Sequence, residues 1–171
     1  MDTDQRKLSL LAYTEEQLKV TDDCLPIDKF ELWLDIIETD NVEWGKEILS
    51  NASNSGKQLL MNGKFEFSDW LVKNLPNRQK HPCVLKSPLL IAVWAASPGI
   101  VSLFLEHKVN VDISNKEYGN ILHILVMGCH FNTEREAKTQ EILTLIQKVI
   151  LQENIERLYM NENKKGKEKN I

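Results

Sequence analysis

Residues 86–123 contain the clearest succession of apolar and polar segments in the chain. Ser87 and Ser97 are each followed by proline, and each pair predicts the start of a helix, because serine caps helices and proline favours the first helical position. One apolar face then follows at helical spacing, formed by Ile100, Val101, Phe104 and Leu105. Beyond it, Val109 and Val111 alternate with polar residues, as in an extended segment. The pattern therefore predicts two helices joined by a tight turn and followed by an extended link.

The opening of this segment recurs further along the chain. Ser87-Pro88-Leu89-Leu90 begins one helix, and Asn120-Ile121-Leu122-His123 begins another with a similar pattern 33 residues later. A 33-residue period with an opening like T-P-L-H is typical of ankyrin repeats, so residues 87–123 resemble the ankyrin repeat family. The resemblance implies an all-α, ankyrin-type helical solenoid of about three irregular repeats with inserted loops. An ordinary α-helical bundle with a coincidental repeat is the alternative.

Two weaker units flank the central unit at 86–118. In the first, at about 27–50, two apolar faces lie on either side of a break at Asp40, and they consist of Phe30, Trp33, Ile36 and Ile37 and of Trp44, Ile48 and Leu49. The third, at about 119–153, ends in a strong helical stripe made of Ile142, Leu145, Ile146, Val149 and Ile150. Between the first and central units the spacing exceeds one period. We therefore interpret residues 51–85 as an insertion that replaces the usual short hairpin.

These units predict the organisation of the whole chain. An ankyrin-like domain is expected at 27–160, preceded by an N-terminal arm at 1–26 that packs on the first unit. Residues 161–171 are rich in lysine and are expected to form a basic flexible tail.

Size and composition narrow the classes of function. The chain has 171 residues, a formal net charge of −4 and a pI near 5.6, which argues against a general nucleic-acid binder because such proteins are usually basic. The polar N-terminus predicts no signal peptide, and no apolar run approaches the length of a membrane span. Three widely spaced cysteines predict no disulfide framework. We expect a cytoplasmic protein, or the cytosolic side of a membrane for a channel fragment.

No residues form a recognisable catalytic or metal-binding pattern. The cysteines and histidines are scattered singly, whereas a zinc site needs four converging ligands, and neither a Ser-His-Asp set nor a glycine-rich phosphate loop is evident. We therefore expect no enzyme activity, cofactor or metal. His123 occupies the position of the histidine in the T-P-L-H motif, which points to a structural role.

The family resemblance instead implies a protein-binding surface on the concave face and hairpin tips. By the register above, the residues expected on that surface are Ile91, Trp94, Ala95, Ser114, Lys116, Tyr118, Ile124 and Met127, with Asp35, Glu38 and Thr39 on the first unit. Trp94 and Tyr118 are the expected anchors, because aromatic residues dominate binding hot spots. The alternative for Trp94 is that it packs under the insertion. The implied function is a non-catalytic protein–protein interaction module, a scaffold or adaptor for a partner of unknown identity.

A narrower resemblance concerns residues 119–166. The sequence GNILHILV, a polar interruption and the shifted helix EILTLI are similar to the cytosolic ankyrin region of vanilloid-type transient receptor potential channels. This resemblance implies an N-terminal cytosolic region of a cation channel as the alternative function, with membrane association only through a larger channel. A small helical enzyme is the third hypothesis, and it predicts a cleft with converging ionisable groups of perturbed pKa.

Overall fold

The computed structural model describes residues 2–20, 23–68, 81–128 and 133–168. The helices are α1 (Thr3–Gln17), α2 (Ile27–Glu38), α3 (Val42–Asn51), α4 (Asn54–Asn62), α5 (His81–Leu85), α6 (Pro88–Ala95), α7 (Pro98–Glu106), α8 (Ile121–Gly128) and α9 (Thr133–Glu168). The strands are β1 (Cys24–Pro26), β2 (Lys64–Glu66), β3 (Ser114–Asn115) and β4 (Gly119–Asn120). Helices thus make up most of the described chain, and the predicted all-α class is confirmed at this level.

The helices contact one another in two series. In one series α2 packs on α6 and α6 packs on α8, and in the other α3 packs on α7 and α7 packs on α9. Within each pair, α2 contacts α3, α6 contacts α7 and α8 contacts α9. Three helix pairs therefore lie side by side, and the apolar face of each pair is buried against its neighbour.

Helix α6 lies at the centre of this arrangement. It contacts α2, α4, α5, α7 and α8, and its residues from Pro88 to Val93 are all buried. A helix that is apolar on every side is stable only when it is covered on every side. The apolar run beginning at Leu89 is thus explained by the number of elements that surround it.

Three helices end in the same way without using glycine. The N–H of Asn41 donates to Ile36, that of Ser97 to Ala92 and that of Val109 to Phe104, at 3.0–3.2 Å between nitrogen and carbonyl oxygen. The residue before each donor has a left-handed backbone, with φ of 56° to 58°, and these residues are Asp40, Ala96 and Lys108. This is the geometry of a helix C-terminus closed by a left-handed residue.

The segment predicted as an N-terminal arm forms helix α1. It contacts α2, α3 and α4, and Leu10 is buried against them. Lys7 is also buried, and its ammonium donates to Glu47 at 2.6 Å and lies 5.3 Å from the centre of the Trp44 ring. The N-terminal helix is therefore packed on the first helix pair, and its position is held by both apolar and charged contacts.

Part of the predicted insertion belongs to the core. Leu59, Leu60 and Met61 of α4 are buried, and the indole Nε1 of Trp33 donates to the carbonyl oxygen of Leu60 at 2.8 Å. Strand β2 pairs in parallel with β1, with Phe65 opposite Leu25. Residues 54–66 thus support the first helix pair instead of forming a loop. Residues 69–80 of the insertion lie outside the described part of the chain.

Helix α9 is much longer than its neighbours. It has 36 residues, whereas α7 has nine and α8 has eight. The sequence predicted a flexible tail from residue 161, but the backbone of α9 is helical as far as Glu168. Lysine and glutamate favour helices, so the charged composition of this segment is compatible with continued helix.

Candidate functional site

The β3–β4 hairpin is shaped by one asparagine. The Asn115 Oδ1 accepts hydrogen bonds from the N–H groups of Glu117 and Tyr118 at 2.8 and 3.2 Å, and its Nδ2 donates to the carbonyl oxygen of Val84 at 2.9 Å. Gly119 closes the turn with φ of 78°, a backbone conformation that glycine adopts without strain. The side chain of Asn115 therefore fixes both the turn and its attachment to α5. Ser114 and Lys116 are exposed on this hairpin.

The two predicted aromatic anchors lie together. The rings of Trp94, at the end of α6, and Tyr118, in the hairpin turn, are 6.0 Å apart between centroids and tilted by 37°. Both side chains are half-buried. Burial raises the pKa of the Tyr118 hydroxyl, and the negative charge of Glu117 adds to the increase. Arg135, from the first turns of α9, donates through Nη2 to the carbonyl oxygen of Trp94. The hairpin, α6 and α9 therefore converge at this aromatic pair.

Of the other residues predicted to bind a partner, some are exposed and two are buried. Met127 is exposed and Ala95 is half-buried, but Ile91 and Ile124 have no exposed surface. The expectation that these two isoleucines contact a partner is wrong, because α6 and α8 pack directly against each other and their side chains are core. Asp35, Glu38 and Thr39 are exposed at the end of α2.

Sequence reasoning missed an apolar surface on α8. Leu122 and Val126 are 38% and 62% exposed, and Met127 beside them is 41% exposed. Residues 121–127 are apolar at every position except His123, so periodicity could not separate the buried side from the exposed side. His123 is itself exposed, and its backbone N–H is capped by the Asn120 side chain at 3.1 Å.

The described residues contain no grouping of three His, Cys, Asp or Glu side chains that could hold a metal ion. Cys129 and His130 lie outside the described part of the chain. The groups whose pKa is shifted are dispersed: Tyr118 is in the hairpin, Glu38 ends α2 and Lys7 is on α1. Among the described residues, the groups with a shifted pKa therefore do not converge on one site.

A groove of about 530 Å³ runs between α7 and α9. Leu105, Val109, Leu145 and Val149 supply its apolar lining, and charged residues from both helices surround them. The described residues thus include a groove on the side of the molecule formed by α7 and α9.

No helix in the described residues combines the length and apolar character needed to cross a membrane. Comparison of the chain with protein-family models, with curated proteins and with solved structures gave no match.

Proposed function

We propose that this chain is a non-catalytic protein-binding module of the ankyrin type, and that it binds its partner through the hairpin surface. The hairpin surface consists of Ser114, Lys116 and Tyr118 of the hairpin together with Trp94 and Met127. The observation that carries the proposal is the 6.0 Å ring pair of Trp94 and Tyr118, supported by an exposed hairpin. Half-buried aromatic residues beside exposed polar ones resemble the anchor and rim of a binding site.

The order of helix contacts supports the ankyrin part of the proposal. In such a repeat, two antiparallel helices form a pair, pairs stack, and hairpins project between them. Here α6 and α7 are followed by the β3–β4 hairpin and then by α8, which packs on α6. The spacing of 33 residues between Ser87 and Asn120 matches this unit. The inserted α4 and the long α9 depart from the regular repeat.

The fold also limits the cost of binding. The turn of the hairpin is already fixed by three hydrogen bonds of the Asn115 side chain. The Trp94 ring contacts Tyr118, and its backbone carbonyl is held by Arg135. A surface that is ordered before binding loses less conformational entropy in the complex.

The proposal is tested by affinity capture from the source cell with quantitative mass spectrometry. The baits are the wild type, Lys116→Glu and Tyr118→Ala, and the control is Lys46→Glu, an exposed lysine on α3 in the other series of helices. We expect the specific partner to be reduced at least about tenfold on the first two variants, because interface anchors contribute more than about 1.4 kcal/mol. The control should retain it.

Circular dichroism must first show that each bait keeps the helical content of the wild type. A partner that binds Lys116→Glu and Tyr118→Ala as well as the wild type would contradict the hairpin surface as the binding site. Equal loss on the Lys46→Glu bait would mean that binding depends on net charge and not on this surface.

A further inference from the structure

The apolar stripe of α9 changes side along the helix. Ile142 and Ile146 are completely buried against the body of the protein. Leu151 and Ile155 each come nine residues later, which is two and a half helical turns and therefore the opposite side of the helix. They are 63% and 38% exposed. The helix thus carries one apolar stripe towards the body and a second one away from it.

The second stripe begins where the contact with the body ends. Val149 is half-buried, whereas residues 150–157 are all exposed. On the outward side nearer the N-terminus, Thr144 and Lys148 are polar and exposed. Leu151 and Ile155 have the i, i+4 spacing with which one helix packs against another, and the sequence has a further apolar residue at i+7, Leu158. Single exposed apolar residues are common on protein surfaces, whereas neighbouring exposed apolar residues on one side of a helix indicate a surface that binds a partner.

We propose that the outward stripe of α9 binds the same stripe of a second copy of this chain, with the two helices antiparallel. Pairing centred on Glu153 brings Leu151 of one copy opposite Ile155 of the second copy. The two-fold symmetry of the pair also brings Ile155 of the first copy opposite Leu151 of the second. Glu153 itself lies on the other side of the helix. In this register the two Lys148 side chains are about ten residues, or 15 Å, apart along the axis. A parallel pair in register would bring these like charges together.

The length of α9 gives this pairing enough room. Its 36 residues span about 54 Å, and the part after Val149 adds about 28 Å beyond the last half-buried apolar residue. An antiparallel pair centred on Glu153 overlaps over residues 138–168, about 46 Å of helix, and keeps the two bodies at opposite ends. Such an overlap approaches the lower limit of specific interfaces, about 1,200 Å² in total. A dimer with a Kd in the micromolar range is therefore expected.

Sedimentation equilibrium of the full chain between about 1 and 300 µM tests the proposal. The variants are Leu151→Glu, Ile155→Glu and the milder Leu151→Ala, and the matched control is Glu153→Gln on the other side of the same turn. We expect the wild type and the control to dimerise, the glutamate variants to weaken the dimer at least about tenfold, and Leu151→Ala to weaken it less. A wild type that stays monomeric, or a dimer that the glutamate variants leave intact, overturns the proposal.

Disulfide cross-linking tests the direction of the helices. A mixture of Leu151→Cys and Ile155→Cys proteins should form the mixed disulfide faster than either protein alone links position 151 to 151 or 155 to 155. The wild type, with its own cysteines, gives the background, and peptide mass spectrometry identifies the linked positions. Faster linkage between identical positions would indicate a parallel pair and overturn the antiparallel arrangement.

Discussion

The carboxylate of Asp40 caps the helix that begins at Pro98. Its Oδ1 accepts the N–H of Ile100 at 2.8 Å, and its Oδ2 accepts the N–H of Gly99 at 3.3 Å. Asp40 lies in the turn between α2 and α3, so its side chain reaches from the first helix pair to the second. It satisfies two donors that a helix N-terminus leaves without an intrahelical partner. One residue therefore both shapes a turn and joins neighbouring pairs.

Replacing Asp40 by alanine should destabilise the protein by about 1–2 kcal/mol, because the cap is lost. Asparagine retains a side-chain oxygen and tolerates the left-handed backbone, so Asp40→Asn should cost less than half as much. Urea unfolding followed by circular dichroism measures both free energies. Equal stability of Asp40→Ala and the wild type would show that the cap contributes nothing.

Gly99 should not tolerate a side chain. A methyl group at this position would overlap the Cγ2 of Val42 and come within 3.1 Å of the Asp40 carboxylate. Overpacking of this kind typically costs about 1–3 kcal/mol, and here it would also disturb the cap. Gly99→Ala should therefore lower the free energy of unfolding by that amount, measured by urea titration.

A double mutant shows whether the cost of Gly99→Ala comes from the overlap with Val42 or from the backbone. Val42→Ala removes the overlapping methyl group, so Gly99→Ala should be much less harmful in the Val42→Ala background. The coupling free energy between the two positions should exceed about 0.5 kcal/mol, as is usual for residues in contact. Purely additive effects would show that the cost comes from the backbone and not from the overlap.

The sequence predicted the helices better than it predicted their surfaces. The Ser-Pro pairs and the stripe from Ile142 to Ile150 correctly indicated α6, α7 and α9, because proline at the start of a helix and apolar periodicity are local signals. The predicted caps were wrong, since neither Ser87 nor Ser97 makes a side-chain hydrogen bond to its helix. Ile91 and Ile124 were wrongly assigned to a binding face, because their burial depends on which helices surround α6 and α8. In runs that are apolar at nearly every position, periodicity contains no information about the buried side.

The long-range capping by Asp40 was also invisible in the sequence. The turn at Asp40 was predicted, but its hydrogen bonds reach Gly99 and Ile100, about 60 residues further along the chain. The same limit applies to Trp33, whose indole donates to Leu60 in a segment interpreted as an insertion. The repeat register named Trp94 and Tyr118 as separate anchors, and it did not predict that their rings lie 6.0 Å apart.

Lys108→Gly should stabilise the protein. Lys108 ends α7 in the left-handed conformation, with φ of 58°, and its side chain is exposed. Glycine adopts this conformation without strain, and the gain should exceed its larger entropy loss on folding, leaving about 0.5–1 kcal/mol. Thermal and urea unfolding measure the difference. In the control variant Lys46→Gly, glycine lies within α3 and should destabilise the protein by about 1 kcal/mol. If both variants changed the free energy of unfolding in the same direction, this explanation would be contradicted.

Glu38→Gln should stabilise the protein at neutral pH and not at low pH. Although Glu38 is exposed, partial burial raises its pKa above the ordinary 4.5, and the charge of Asp35 adds to the increase. The folded state therefore binds the proton more tightly than the unfolded state, so stability falls as pH rises from 4.5 through the folded pKa. Glutamine cannot ionise, so its advantage should appear above that window and vanish below pH 4.5. Urea titrations of the wild type, Glu38→Gln and Asp35→Asn from pH 4 to 8 measure this, and Asp35→Asn should narrow the window. A constant difference between Glu38→Gln and the wild type across this range would exclude ionisation of Glu38 as its cause.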